Sequence, residues 1–256
     1  PSKPPRSRPP GPSPDAATIE DWIAVFQDTT GRDLTQFSRW YSQAGTPRLS
    51  VSDDFKDGTY TLHFTQETPP TPGQSIKQSQ VLPIAVGLLG QNGDEVVPTT
   101  MLEMTESRQS FSFSGLGARP VPSILRGFSA PVIVQRETSP QEHAFLLAND
   151  TDPFNKWEAG RALSKDVLTR MIVDGAQVPG DFVDALGRVA QDETLDPAFR
   201  ALVLGMPAQN DIAQTLFDSG VTPDPDKIHV ASQGLKTRLP ANCRRFLARF
   251  TMEIRS

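Results

Sequence analysis

The stretch from Gly31 to Pro47 constrains the fold most strongly, because the spacing of apolar residues changes there from helical to alternating. Asp33 is predicted to be an N-cap whose carboxylate accepts a hydrogen bond from the amide of Gln36. Apolar side chains then follow at helical spacing: Leu34, Phe37, Trp40 and Tyr41. Gly45 and Pro47 are predicted to end this helix. The stretch therefore joins a helical region to a β region, and we expect its aromatic residues to pack between domains rather than bind a ligand.

The composition suits a soluble protein and excludes several classes of partner. The chain has 256 residues, a net charge of −5 and a pI near 5.3. A nucleic-acid or acidic-membrane surface needs a basic face, so neither partner is expected. There is no apolar run of membrane-spanning length and no signal-peptide core. The single cysteine, Cys243, leaves no disulfide framework, which favours a reducing compartment or indifference to redox, and the expected location is cytoplasmic.

The first 46 residues divide into two parts. Residues 1–16 contain seven prolines and are predicted to form a disordered tail. Their proline spacing would also suit an SH3-type groove, but a linker or a foreign tail is the favoured interpretation. Residues 17–46 are predicted to be helical, beginning with a capping box between Thr18 and Asp21. The apolar stripe of the first helix is formed by Ile19, Trp22, Ile23 and Phe26.

Residues 47–138 show the pattern of an antiparallel β-sandwich. Between Thr59 and Thr65, apolar and polar side chains alternate, with Tyr60, Leu62 and Phe64 on one face. An Asn-Gly pair at positions 92 and 93 is a hairpin signal that follows a continuous apolar run. Seven or eight short strands separated by turn signals predict an immunoglobulin-like sandwich.

Residues 139–239 have helical periodicity. Asp152 and Asp196 each precede a proline, which is the pattern of an N-cap followed by proline at the first helical position. Further helices are predicted at about 181–191, 196–204, 209–217 and 225–238, and short connections between them indicate the start of a solenoid. The fold class is therefore α+β multidomain, a sandwich followed by a helical domain.

Two uninterrupted strings carry a family resemblance. DLTQFSRWYSQAGTP at 33–47 and DTDPFNKWEAGRAL at 150–163 resemble aminopeptidase N in its bacterial alanyl aminopeptidase branch, a gluzincin zinc metallopeptidase family. The resemblance implies that 17–46 is the helical end of a zinc-peptidase domain and that 47–138 is an immunoglobulin-like domain. It also implies that 139–239 begins a C-terminal helical domain.

Residues 240–256 depart from this family pattern. The family continues with helices rich in Leu and Ala, whereas this chain reads PANCRRFLARFTMEIRS. An Arg-rich ending together with a Pro- and Arg-rich beginning is typical of out-of-frame reading of a GC-rich gene. We therefore expect both 1–16 and 240–256 to be foreign to the fold.

The catalytic motifs of the family are absent from the sequence. A zinc aminopeptidase needs two histidines one helical turn apart with a glutamate between them. The histidines here are His63, His143 and His229, which are far apart in the sequence. We therefore assign no catalytic, cofactor-binding or metal-binding residue, and zinc is implied only for the whole family enzyme.

Other possible sites have simpler interpretations. Cys243 could act as a nucleophile with His229, but an inert or exposed thiol is favoured. The pair Asp53 and Asp54 could bind calcium weakly, as could Asp224 with Asp226, although turn and capping roles suffice for both pairs.

Two functions remain open. The first is a non-catalytic fragment of a zinc-dependent aminopeptidase N, whose partner is the missing catalytic domain and whose peptide substrate binds only the whole enzyme. The alternative is a free-standing protein-interaction module composed of a β-sandwich and a helical array. An adjacent upstream reading frame encoding the zinc motif would distinguish the two.

Overall fold

The computed structural model describes residues 17–255, with side chains described for 17–249. The expected disordered tail, 1–16, lies outside the described residues. Within the described part, two short helices precede a seven-stranded sandwich, and seven helices follow it. No helix of this part combines the length and the apolar composition that a membrane span requires.

The first helix, α1, spans Ile19–Thr30 and begins with the predicted capping box. The Thr18 hydroxyl accepts from the amide of Asp21 at 3.2 Å, and the Asp21 carboxylate accepts from the amide of Thr18 at 3.0 Å. Gly31 ends the helix with φ of 69°, a left-handed conformation that glycine adopts without steric cost.

The second helix is shorter than predicted. It spans only Arg39–Ser42, and Asp33 accepts from the amide of Thr35 at 2.8 Å instead of that of Gln36. The Gln36 side chain donates to the carbonyl of Thr105 at 2.6 Å. The segment is thus fixed by contacts to the sandwich, which replace the regular helix that its spacing predicted.

The sandwich consists of two sheets whose strand order is β5-β2-β1-β7 and β4-β3-β6. The strands are β1 Arg48–Lys56, β2 Thr59–Glu67, β3 Leu82–Leu89, β4 Glu95–Met104, β5 Arg108–Phe113, β6 Val121–Ile124 and β7 Ile133–Gln135. All pairs are antiparallel except β1–β7, which is parallel over three residues. The predicted antiparallel sandwich is confirmed with this one exception, which arises where the chain returns to the sheet edge.

The core of the sandwich follows the predicted alternation. Tyr60, Leu62 and Phe64 are fully buried, and the rings of Phe64 and Phe111 meet at 6.0 Å between centroids. Strand β3 is apolar on both faces because its outer side is covered as well: Leu89 belongs to the core of the helical domain. The two domains therefore share a packed boundary.

The helical domain packs around α4. Its helices are α3 Pro140–Asn149, α4 Pro153–Val173, α5 Gly180–Gln191, α6 Pro197–Leu204, α7 Gln209–Asp218, α8 Pro225–Arg238 and α9 Ala241–Arg255. Asp152 and Asp196 cap α4 and α6 with proline at the first helical turn, as predicted. The buried side of α4 carries Leu163, Val167 and Leu168, which contribute to the main core of this domain.

The structure differs from the expectation that 240–256 is foreign to the fold. Cys243 is fully buried, and its thiol donates to the carbonyl of Leu186 in α5 at 3.4 Å. Asn242 donates to the carbonyl of Gly187 at 3.0 Å. Phe246 and Leu247 also pack on the core, because positions i, i+3 and i+4 from Cys243 lie on one face of a helix. The arginine content of this segment conceals an amphipathic pattern.

Candidate docking surface and domain junction

The exposed face of α1 is the candidate docking surface. Ile23 is buried, whereas its apolar neighbours Trp22 and Phe26 are 48% and 44% exposed, with ring centroids 4.5 Å apart. Ile19 and Val25 are also exposed, at 38% and 62%. Four large apolar side chains on one twelve-residue helix form a patch that is typical of a protein contact.

The aromatic residues after α1 hold this helical segment to the sandwich. Trp40 packs against the sandwich core, and its indole N–H donates to the carbonyl of Val81 at 2.8 Å. Arg32, just past α1, forms an exposed ion pair with Glu103 of β4. Packing, rather than a ligand site, therefore accounts for Trp40, while Tyr41 stays half exposed.

The junction between the sandwich and the helical domain is built around Arg126. This arginine follows β6, and its side chain is 3% exposed. Its guanidinium donates to Glu95 and to Thr99 of β4, and to Asp150 at 3.2 Å at the end of α3. One buried cation thus connects both domains. Charge-assisted hydrogen bonds of this kind are the stronger ones in proteins.

Asp150 is the electrostatically exceptional group of this junction. Its side chain is fully buried, and among the described residues its Oδ2 has no hydrogen-bond partner. Burial raises the pKa of Asp150, and the hydrogen bond from the amide of Asp152 and the charge of Arg126 offset only part of that effect. The neighbouring Lys156 is also buried, and burial lowers its pKa. The junction is therefore charged but incompletely paired.

A second ion network connects the other sheet to α3. Asp53 of β1 pairs with Arg119 and with Arg136, and Arg136 also pairs with Glu142 of α3. The Tyr60 hydroxyl donates to Asp53 at 2.6 Å. Burial alone would raise the pKa of Asp53, but the hydrogen bonds from Tyr60 and Arg136 outweigh it and lower that pKa. These partners give Asp53 a structural role, so no calcium site is needed to explain this residue.

The three histidines lie on three different elements. His63 is on β2, His143 on α3 and His229 on α8, where its Nδ1 lies 3.1 Å from Nε2 of Gln209. In the described part of the chain, no group of three His, Cys, Asp or Glu residues could hold a metal ion. Asp224 caps α8 through the amides of Asp226 and Lys227, as the capping interpretation predicted.

A row of Ser, His and Asp on the sandwich surface was not predicted from the sequence. His63 bridges Ser110 at 2.8 Å through Nδ1 and Asp54 at 2.7 Å through Nε2. All three residues are on the exposed face of the sheet, where water competes for every contact. On the same face, the hydroxyl groups of Thr61 and Ser112 form the neighbouring cross-strand hydrogen bond. The Ser-His-Asp row is therefore one of several cross-strand sets of hydrogen-bonded polar side chains, and such sets stabilise a sheet.

Comparisons with known proteins agree with this architecture. A family model described as a domain of unknown function (DUF3458) with an Ig-like fold matches 45–137. A second model, DUF3458_C with ARM repeats, matches 140–256 and so includes α9. Aminopeptidase N of Caulobacter vibrioides is 37% identical over 94% of this chain, and that of Escherichia coli K12 is 35% identical over 79%. The chain belongs to the aminopeptidase N family.

A solved aminopeptidase structure also matches the fold. The crystal structure of Legionella pneumophila aminopeptidase A in complex with aspartic acid aligns with a TM-score of 0.75 and 26% identity over 93% of this chain. The alignment covers 27% of that structure, as it covers 28% and 25% of the two curated relatives. The chain thus spans about a quarter of the length of these relatives. The predicted family and fold class are both confirmed.

Proposed function

We propose that the chain forms the sandwich spacer and part of the helical domain of a zinc-dependent aminopeptidase and contributes no catalytic residue itself. In this proposal, the zinc ion and the peptide bond cleaved belong to the catalytic domain of the same enzyme. Sequence identities of 37% and 35% to two aminopeptidase N proteins support the assignment. The cytoplasm is the proposed location, because the one cysteine is buried and unpaired.

The exposed face of α1 carries the proposal. Trp22 and Phe26 present adjacent aromatic rings to solvent on a helix that the resemblance assigns to the end of the catalytic domain. Burying such a patch stabilises a complex by about 25 cal/mol for each Å² of apolar surface removed from water. The catalytic domain is therefore the proposed partner of this face.

The two ion networks give the spacer its second property, a fixed angle between sandwich and helices. Arg126 connects β4 to Asp150 at the end of α3, and Arg136 connects β1 of the other sheet to Glu142 in the first turn of α3. Two separate connections resist rotation better than one. The helical domain would thereby keep a constant position relative to the catalytic domain.

A chimeric enzyme tests this proposal. The matching segment of the Caulobacter relative is replaced by residues 17–256 of this chain, and hydrolysis of alanine p-nitroanilide is measured with and without a zinc chelator. We expect chelator-sensitive hydrolysis by the chimera. A soluble, folded chimera without such activity contradicts the spacer role.

Paired substitutions separate docking from folding. Trp22→Ser with Phe26→Ser should lower the stability of the chimera by about 3 kcal/mol, since both rings become buried there. The same pair should change the isolated chain little, because both rings are exposed in it. A matched control pair, Phe217→Ser with Val230→Ser, alters two side chains that are each 69% exposed on α7 and α8. Equal effects of the two pairs in the chimera would count against docking through α1.

A further inference from the structure

An open cleft of about 520 Å³ lies between the sandwich and the helical domain. The end strands of the two sheets, β6 and β7, form its walls on the sandwich side. Helices α3 and α4 form the opposite side through residues such as Leu146 and Ala159. A volume of this size is typical of ligand pockets in proteins.

Within residues 17–255, one side of the β7 backbone has no hydrogen-bond partner. Ile133 donates to the carbonyl of Pro47 at 2.9 Å, which directs its peptide groups toward β1. Successive residues of a strand point their peptide groups to opposite sides, so those of Val134 face away from β1. Because β7 is the end strand of its sheet, these groups are available to another extended chain.

Apolar side chains surround that open edge. Ile133 and Val134 are 51% and 43% exposed, and Phe128 is 55% exposed with its ring 5.3 Å from that of Phe154. Phe128 has φ of 54°, a left-handed conformation that a bulky residue rarely adopts. Leu125 has φ of 59°, so two strained residues present this aromatic ring at the cleft. Strained residues of this kind cluster at ligand-binding positions.

The charges that line the cleft favour a cation. Arg136 is already paired with Asp53 and Glu142. Glu158 is exposed and has no ion-pair partner among the described residues. Burial lowers the pKa of His143, which keeps the imidazole neutral near pH 7. The unbalanced charge in the lining is therefore the negative charge of Glu158.

We propose that this cleft binds an extended peptide segment that pairs with the edge of β7, places apolar side chains on Phe128 and Ile133, and directs one positive charge to Glu158. The segment adds a strand to the sheet β5-β2-β1-β7. Its positive charge is a lysine, an arginine or an α-ammonium group, any of which matches the carboxylate. This site is separate from the α1 face and does not depend on the proposed catalytic partner.

A labelled peptide tests the site on the full chain. The probe is fluorescein-labelled Lys-Val-Thr-Val-Thr-Val, capped at its C-terminus, and its anisotropy is measured during titration with the protein. We expect saturable binding that weakens with added salt. Glu158→Lys should weaken binding about tenfold or more, because an attraction becomes a repulsion. The matched control Glu193→Lys alters another exposed glutamate, in the turn after α5, and should leave binding unchanged.

Two further variants test the apolar and backbone contacts. Phe128→Asn removes the ring but retains a residue that tolerates a positive φ, so the chain should stay folded while binding weakens about fivefold. A probe N-methylated at every valine and threonine has no amide N–H left in its strand to donate to β7, and it should not bind. Absence of binding by the unmodified probe overturns the proposal, as does binding that is unaffected by both Glu158→Lys and Phe128→Asn in folded protein. Sedimentation showing that the chain self-associates through Phe128 and excludes the probe would make a second copy the occupant, which also overturns it.

Discussion

The guanidinium of Arg126 lies directly against the backbone of Gly87. A Cβ atom at position 87 would be 2.1 Å from Cζ of Arg126, far closer than side chains approach one another. The φ angle of Gly87 is not positive, so the space occupied by Arg126, and not backbone conformation, requires glycine here. Because glycine has no side chain, Arg126 can cross β3 at Gly87 and reach Glu95 and Asp150. These two ion pairs connect the two domains.

Gly87→Ala should therefore displace Arg126 and lower the free energy of unfolding by about 3 kcal/mol, as expected when a buried ion pair is broken. Urea unfolding followed by circular dichroism measures the change. Gly117→Ala is the control, because a Cβ at position 117 meets no atom within 4 Å. A loss for Gly87→Ala no larger than that for the control contradicts the steric argument.

Arg126→Met should separate the unfolding of the two domains. The substitution keeps the apolar stem but leaves Asp150 buried without its cation, at a cost of about 3–5 kcal/mol. Calorimetry should show one transition for the native chain and two for the variant. Arg32→Met breaks the exposed pair with Glu103 and should cost less than about 1 kcal/mol. A single transition in Arg126→Met would show that apolar packing alone couples the domains.

Local patterns explain which parts of the fold were predictable. Alternation along β2 placed Tyr60, Leu62 and Phe64 in the core, and the cap before Pro153 located the start of α4. Both signals act within a few residues of the chain. The Arg126 junction depends on partners 24 and 31 residues away, so no local pattern could reveal it.

Two segments differ from their predictions because tertiary contacts decide their structure. Helix α2 is short because Gln36 and Trp40 bond to sandwich carbonyls that sequence spacing cannot locate. The arginines of α9 predict a segment foreign to the fold, although Cys243 and Phe246 have the spacing of a buried face. The α1 stripe was predicted correctly as a helix face, but within it the structure buries Ile23 and leaves Trp22 and Phe26 exposed.

The acid stability of the chain should depend on Asp53. Its pKa is lowered in the folded state, so the stabilisation is present above the unfolded pKa of about 3.9 and is lost as pH falls through the folded pKa. Asp53→Asn should therefore be less stable than the native chain at neutral pH, and the difference should shrink below about pH 4. Urea midpoints measured across this range provide the test. A stability difference between the two proteins that does not vary with pH would show that the charge of Asp53 does not stabilise the fold.

Tyr60→Phe should weaken the same network without a change in core volume. The buried hydroxyl donates to Asp53 at 2.6 Å, and its loss should cost about 1–2 kcal/mol. Asp53→Asn combined with Tyr60→Phe should cost less than the sum of the single changes, because the two groups share one hydrogen bond. Additive effects would contradict coupling between them.

Cys243 should be unreactive in the folded chain. The thiol is fully buried in the core of the helical domain, and burial raises its pKa to about 11. A thiol reagent at about pH 8 should therefore modify it only after unfolding. The unfolded thiol ionises from about pH 8.5, so the free energy of unfolding should fall as pH rises from there toward 11. Rapid labelling of the native chain would contradict the packing of α9.

The isolated chain should release no alanine from alanine p-nitroanilide. Hydrolysis in this enzyme class uses zinc to lower the pKa of a bound water to about 7, and a glutamate to take up its proton. The sequence contains His63, His143 and His229, and no two of them are one helical turn apart. Surface carboxylates that bind zinc loosely would not provide the open tetrahedral site that activates water. The measurement uses purified chain with added zinc and a parallel chelator control. A chelator-sensitive rate that co-purifies with the chain and persists in His143→Ala would contradict the absence of a catalytic apparatus, whereas a rate abolished by that substitution would assign His143 a role in it.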